Sequence, residues 1–421
     1  MIRFYNGRVM TFSDGVKISG DEVWTDGERI AYVGPEKPDR PAFEREIDLR
    51  GDLVMPSFKN AHTHSAMTFL RSYADDLPLN DWLYRQVFPM EAKLTPELVY
   101  EMTRIAIMEY LTSGITASFD MYMKNDAYTA ANIDSGFRTA ICGALNDFDA
   151  DPENIEREYL KFNSGSPLVS YILGIHAEYT TGLDRMKFMS ELTHKYRAPF
   201  FTHNSETKAE VEGCVARHGA TPTVLLDSLG LYDFGGGGFH CVWMSDEDVD
   251  IFARKGLWAV TNPASNLKLA SGIAPVCRLA DAGVNLAIGT DGSASNNALD
   301  MFREMYLVVA LQKYLTGDAA ACPADMALKM ACQGGARAMG LGDCDDIAAG
   351  KKADLIVIDL MRPNMRPLHN IAKNIVYAGS KENVRLTMIN GRVLYENGEF
   401  FIGAEPGKIY EKAEKLLKEI M

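Results

Sequence analysis

"DLVMPSFKNAHTHS", residues 52–65, runs from an apolar stretch into two histidines spaced two apart. A short apolar run of this kind reads as a buried strand. Along a strand, residues i and i+2 face the same side. His62 and His64 therefore project together, with Thr63 turned away. Two imidazoles from one strand supply half of a tetrahedral metal site.

Seven more segments resemble this one: "ITASFDMY", "RTAICGALN", "LVSYILGIH", "PFFTHN", "GFHCVWM", "LWAVTNP" and "NLAIGTD". Helical periodicities such as "PELVYEMTRIAIMEYLTSG" and "DEDVDIFARKG" lie between most of them. Eight apolar strands alternating with helices predict a parallel sheet covered on both faces, an α/β fold closed as a (β/α)8 TIM-type barrel. Both chain ends read differently. "IRFYNGRVMTF", "GERIAYVG" and "FEREIDLRG" open the chain, and "ADLIVIDL" and "VRLTMINGRVLYENGEF" come near its end. These are short β-rich segments separated by turn residues. Residues 1–55 and 346–421 are therefore expected to form one small β-sandwich domain, with the barrel domain at 56–345. "PGKIYEKAEKLLKEIM" reads as an amphipathic surface helix starting near Pro406.

The 421 residues are 47% hydrophobic and 24% charged, with a net charge of −14. This is ordinary globular composition with ample core material. The negative balance argues against a nucleic-acid surface, which needs a basic field. No apolar run is long enough to span a bilayer, and the N-terminus lacks the apolar centre of a signal peptide. Cysteines 142, 214, 241, 277, 322, 332 and 344 are scattered and odd in number, with no CxxC pair. Reduced thiols in a cytoplasmic protein fit that pattern. The expected partner is a small-molecule substrate, with no nucleic acid or membrane; a homo-oligomer is compatible with the composition.

In a TIM-type barrel, chemistry collects at the C-terminal strand ends. Here the first strand ends in His62 and His64, the fourth in His176, and the fifth in His203 with Glu206 three residues on. The sixth carries His240 and the eighth ends in Asp291. Any one of these histidines, alone, reads as a hydrogen-bonded core residue. Together they do not, because so many buried imidazoles without partners would cost several kcal/mol. With His62 and His64, His203 and Asp291 complete the protein's share of a site that keeps one position open. Three nitrogens and one carboxylate oxygen suit Zn²⁺ best, and Fe²⁺ also accepts them. One ion is expected, because the fourth strand ends "ILGIHAEY", with no lysine to bridge a second.

"MPSFKNAHTH", "HNSET", "HCVWMS", "NPASNLKLASGIAPV", "GTDGSASNNALDMF" and "GKKADLIVIDL" together resemble the amidohydrolase superfamily over nearly the whole chain. The set points to its ring-aminohydrolase branch, and within that to the deaminases of 5′-methylthioadenosine and S-adenosylhomocysteine. The resemblance implies a metal-dependent hydrolytic deaminase of an amino-substituted purine or purine nucleoside, releasing ammonia. It implies Glu206 as the proton carrier between water and a ring nitrogen, although a capping or surface carboxylate is the bland alternative. His240 would stabilise developing charge, or be a further ligand or a core histidine. Asp291 would pass the second proton to the departing ammonia. On the substrate side the resemblance implies Glu91 for ribose hydroxyls, against an exposed helix carboxylate, and His176 for the ring. Trp82, Leu83, Val87 and Phe88 share a helical spacing that reads first as packing, and Trp82 is carried as the candidate facing substrate. Asp120, Ser265, Asn266, Asn296 and Asn297 read as hydrogen-bonding support near strand ends. His369 is assigned to the domain junction, and His194 and His218 to the surface.

The chain departs from the family in three places. It has Ser57 where many relatives have glycine, and Glu178 where they have proline. Arginines for a homocysteine carboxylate are expected after the third strand. Residues 146–159 are acidic instead, with Arg157 as their single arginine, which argues against a carboxylate-bearing substrate. Competing readings are deamination or dechlorination of another N-heterocycle (guanine, pterin, cytosine or triazine), and a non-catalytic binding protein of the same fold. Amide-ring hydrolysis is disfavoured by the missing lysine.

Overall fold

The computed structural model describes every residue except 78, 149 and 150, and the side chains of 79 and 80 are also outside the description. Two positions of the acidic stretch 146–159 thus lie outside the described residues.

Eight parallel strands, hydrogen-bonded in chain order, form the barrel. They are Phe58–Thr63, Ile115–Asp120, Arg138–Cys142, Val169–Ala177, Phe200–Asn204, Gly236–His240, Trp258–Thr261 and Asn285–Ile288. The chain leaving the eighth strand closes on the first, where the Thr290 and Asp291 N–H groups donate to the His62 carbonyl at 3.1 and 2.9 Å. Ala61, Phe119, Ala140, Phe201, Phe239, Val260 and Ala287 belong to one buried apolar cluster. Phe239 of this cluster stacks on the His62 ring, centroids 4.0 Å apart. The sixth strand is glycine-rich because its neighbours crowd it. A Cβ at Gly236, where φ is +114°, would stand 1.9 Å from the Phe200 carbonyl oxygen.

The expected single strand across "LVMPSFKNAHTH" is two. Leu53–Pro56 belongs to a seven-stranded sheet, and the barrel strand starts only at Phe58. An apolar run buried on both faces looks the same in either sheet, so the pattern does not reveal the corner at Ser57. The seven-stranded sheet takes Arg8–Thr11, Lys17–Ser19 and Leu53–Pro56 from the first part of the chain. From the last part it takes Leu355–Ile358, Val384–Ile389, Arg392–Glu396 and Glu399–Phe400. Alternation divides its faces. Val9, Val54, Leu355, Val357 and Leu386 pack with Phe4, Val23, Ile30 and Ile47 of a four-stranded sheet. Met10, Leu53, Met55, Ile356 and Ile358 turn towards the barrel helices. Both chain ends therefore build the added sheets.

The helix Pro96–Thr112 starts at Thr95, whose hydroxyl accepts from the Leu98 N–H, and Asp246–Lys255 starts at a Ser245/Asp248 capping box. Pro406–Ile420 buries Ile409 and Ala413. Its Lys412 pairs with Glu101 of Pro96–Thr112 at 2.7 Å. Among the described residues no helix is long and apolar enough to cross a membrane.

Candidate metal centre and active site

Four separate strand ends meet at the barrel mouth. Asp291 Oδ1 lies 3.5 Å from His62 Nε2 and 3.2 Å from His64 Nε2. The His203 ring is centred 4.9 Å from His62 and 5.5 Å from His64. His240 stands 5.4 Å from His62 and 5.5 Å from His203. One ligand atom from each of His62, His64 and Asp291 lies within 4.8 Å of the others, and the same holds for His62, His203 and His240.

The outer nitrogens of three of these rings, His64, His203 and His240, are already engaged. His64 Nδ1 meets the Met121 carbonyl, and His203 Nδ1 the His176 carbonyl at 2.7 Å. His240 Nδ1 meets Asn266 Oδ1 at 2.7 Å. A carbonyl oxygen only accepts, so Nδ1 carries the proton and Nε2 presents a lone pair to the centre. His62 is the extreme case: both ring nitrogens are buried and without a hydrogen-bond partner. Asp291 is braced by N–H and O–H donors, from Ser265 Oγ (2.5 Å) and Ser295 Oγ (2.8 Å) to Oδ2, and from the Gly292 N–H (2.8 Å) to Oδ1. The backbone is held in the left-handed region at His240 (φ 72°) and Asp291 (φ 60°). Such residues cost on the order of 1–3 kcal/mol each and concentrate at functional sites.

The electrostatics fit a missing positive charge. Burial pulls His62 down to about 3 and His176 to about 4, and holds His203 well below its ordinary value. Burial opposes charge on His64 as well, but the Asp291 carboxylate raises it to about 9. Against desolvation, contacts with His62 and His64 keep Asp291 well below the usual carboxylate range. A cation would serve all of these groups at once, whereas a proton on His64 serves only one pair. The orphaned His62 nitrogens and the convergent Nε2 lone pairs fit a divalent metal ion.

Glu206 lies at the same mouth. Its Oε1 accepts from Ser271 Oγ at 2.9 Å, and its Oε2 is 3.9 Å from His240 Nε2. It does not cap the following helix. Thr207 and Glu210 form that capping box, and the Glu210 carboxylate accepts from the Ser205 and Glu206 N–H groups, both at 2.8 Å.

A cavity of about 730 Å³ opens over this cluster, lined by His64, His203, Glu206, His240, Asp291, His176 and Glu91 among others. His176 Nδ1 is 2.8 Å from Thr180 Oγ1. Glu91 is buried rather than exposed, and burial pushes it up to about 7 against the effect of Tyr122 and His64. Trp82, Leu83, Val87 and Phe88 pack in or against the core and also line the cavity, so packing alone does not describe them. A π-turn at Leu83–Val87 inside this helical segment carries part of that wall. Tyr122, Asn125 and Glu158 also line the cavity. Glu158 belongs to the acidic stretch 146–159, but no histidine or periodic pattern singles out any of the three by itself.

The supporting polar residues differ in what they hold. Ser265 and Asn266 bond to Asp291 and His240 directly. Asp120 accepts from the Ser65 N–H at 2.8 Å, and Asn296 donates to the Thr290 carbonyl and Glu304. Asn297 donates to Asp75 at 3.0 Å. His194 and His369 are exposed. His218 is not a free surface residue. Its Nε2 lies 3.1 Å from the buried Glu178, which also pairs with Arg217.

The sequence profile of the amidohydrolase family matches residues 53–394. The chain belongs to that family. A 5-methylthioadenosine/S-adenosylhomocysteine deaminase of Syntrophobacter fumaroxidans is 38% identical over 403 residues, covering 93% of this chain and 92% of the relative. A 5′-deoxyadenosine deaminase of Methanoregula boonei is 39% identical over 413 residues, covering 94% and 90%. Among solved structures, an adenosine deaminase from Xanthomonas campestris with bound zinc superimposes with a TM-score of 0.94 at 33% identity, covering 100% of this chain and 98% of that one. As an amidohydrolase with deaminase relatives, the protein is a hydrolase of carbon–nitrogen bonds.

Proposed function

We propose that the protein is a hydrolytic deaminase of an amino-substituted purine nucleoside, using one zinc ion held by His62, His64, His203 and Asp291. The observation that carries this reading is the buried His62, without a hydrogen bond, among Nε2 atoms and a carboxylate from distant strands. The relatives named above supply the substrate class. When bound, the ion would lower the pKa of a water to near neutrality.

The residues of the chain do the rest. Glu206, steadied through Oε1 by Ser271, takes the water's proton at Oε2 and delivers it to the ring nitrogen beside the amino-bearing carbon. That protonation makes the carbon electrophilic. His240, with Nδ1 fixed on Asn266, faces the reacting oxygen and stabilises its charge. Asp291 accepts the second proton and passes it to ammonia as it leaves. His176 orients the ring, Glu91 accepts from ribose hydroxyls, and Trp82 walls the substrate space.

The test is ammonia release from a panel of amino-heterocycles: adenosine and 5′-substituted adenosines, guanine, cytosine, a pterin and a triazine. Turnover is expected to be fastest with the adenosine compounds; a preference for another ring overturns the substrate class. Glu206→Gln should retain metal and lose about 10²–10⁴-fold in kcat, the range for a positioned acid–base group. Unchanged kcat with metal bound removes Glu206 from the reaction.

A further inference from the structure

One wall of the cavity has a chemical character of its own. Asn125 starts the helix Asn125–Ser135, and Glu158 lies on Asn154–Asn163. Asn125 Nδ2 donates to Glu158 Oε2 at 2.8 Å, and the Tyr171 hydroxyl donates to the same oxygen at 3.1 Å. The amide orientation follows, because the carboxylate must accept. Asn125 is only 8% exposed, and its Oδ1 has no partner. Asn125 and Tyr171 thus hold the Glu158 carboxylate in place, and that carboxylate is the acceptor this wall offers the cavity.

Nor is the charge on Glu158 balanced. The two cations of its own helix are committed elsewhere: Arg157 pairs with Asp151, and Lys161 with Asp126. No ion pair joins Glu158 to a cation among the described residues. Lys124 is the single ammonium or guanidinium among the described lining residues, and it is exposed. Burial raises Glu158 above the usual carboxylate range, the mark of a carboxylate without a counter-charge.

We infer that Glu158 and Asn125 form a subsite for a cationic or hydrogen-bond-donating substituent of the substrate and exclude a carboxylate there. This rests on the deaminase reading, in which the ring sits against the histidines and its substituent extends along this wall. An ammonium would donate to the Glu158 carboxylate and offset its charge. A carboxylate would meet an acceptor of like charge.

Three adenosines that differ only at the 5′ carbon separate the possibilities: the parent alcohol, the 5′-amino-5′-deoxy compound and the 5′-carboxylic acid. Both kcat/KM for ammonia release and Kd by calorimetry are measured at pH 7. The amine should exceed the acid by roughly tenfold or more in each, the scale of one charge-assisted hydrogen bond. Glu158→Gln should shrink that ratio by about the same factor. A ratio under tenfold in the wild-type protein overturns the subsite, whether or not the variant folds. Charge-selective binding with no ammonia from any of the three overturns the deaminase reading and leaves the subsite standing.

Discussion

The barrel holds two buried polar clusters, one at each end of its strands. At the floor, Arg138 donates to Asp354 at 3.0 and 3.1 Å and also meets Asn390. Asp354 accepts in addition from the Asn390 N–H. Lys59, fully buried, donates to Ser57 Oγ at 2.6 Å and Thr116 Oγ1 at 2.8 Å. At the mouth, His62 has no hydrogen-bond partner on either nitrogen, and His240 and Asp291 sit on left-handed backbone. Both clusters are buried and rich in ionisable groups. The difference is that the floor satisfies itself, whereas the mouth is complete only when something else binds. Buried polarity alone therefore does not mark a site; ligand-type groups from distant strands converging on an imidazole without hydrogen bonds do.

Four experiments sharpen that contrast. His62→Ala should remove the metal and lower turnover by on the order of a thousandfold or more, since it deletes the central ligand. Metal analysis and ammonia release read it. At the floor the pattern reverses. Arg138→Met leaves Asp354 buried and unpaired, which should cost about 3–5 kcal/mol in denaturant unfolding, with metal content per folded molecule unchanged. Equal stability would mean that the pair contributes nothing. Ser271→Ala frees one oxygen of Glu206, and kcat should drop about tenfold, the value of one hydrogen bond to a charged group. KM and metal content should hold, and a change in KM alone would contradict the positioning role.

The smallest effect is a pH dependence at the floor. Burial holds Lys59 below the usual lysine value, opposed by Asp354. Between its folded value and the unfolded value of about 10.4, the unfolded chain binds more protons, so stability rises with pH. Lys59→Met lacks this term. The stability difference should therefore shift towards the wild type as pH approaches 10, by no more than about 1.4 kcal/mol per unit. A flat difference would show that Lys59 titrates as it does in water.

The mouth was legible because strand ends are local. "HTH", "FFTHN" and "IGTD" each put a ligand type where an apolar run stops, and a barrel brings such ends together. The floor was not legible. Arg138 and Asp354 are 216 residues apart, and nothing near either announces the other. The corner at Ser57 was hidden because the strands on both sides of it are buried on both faces. Glu91 is reached only through the family resemblance, and Glu158 looks like any helix carboxylate until the cavity is seen. His218 looked like a surface group because its partner, Glu178, comes from another element.

The most direct test is anomalous diffraction at the zinc edge, on crystals of the protein prepared with zinc. One peak is expected per chain, at about 2.0–2.2 Å from Nε2 of His62, His64 and His203 and from an Asp291 oxygen. A peak bound elsewhere, or none at this cluster, would contradict the account.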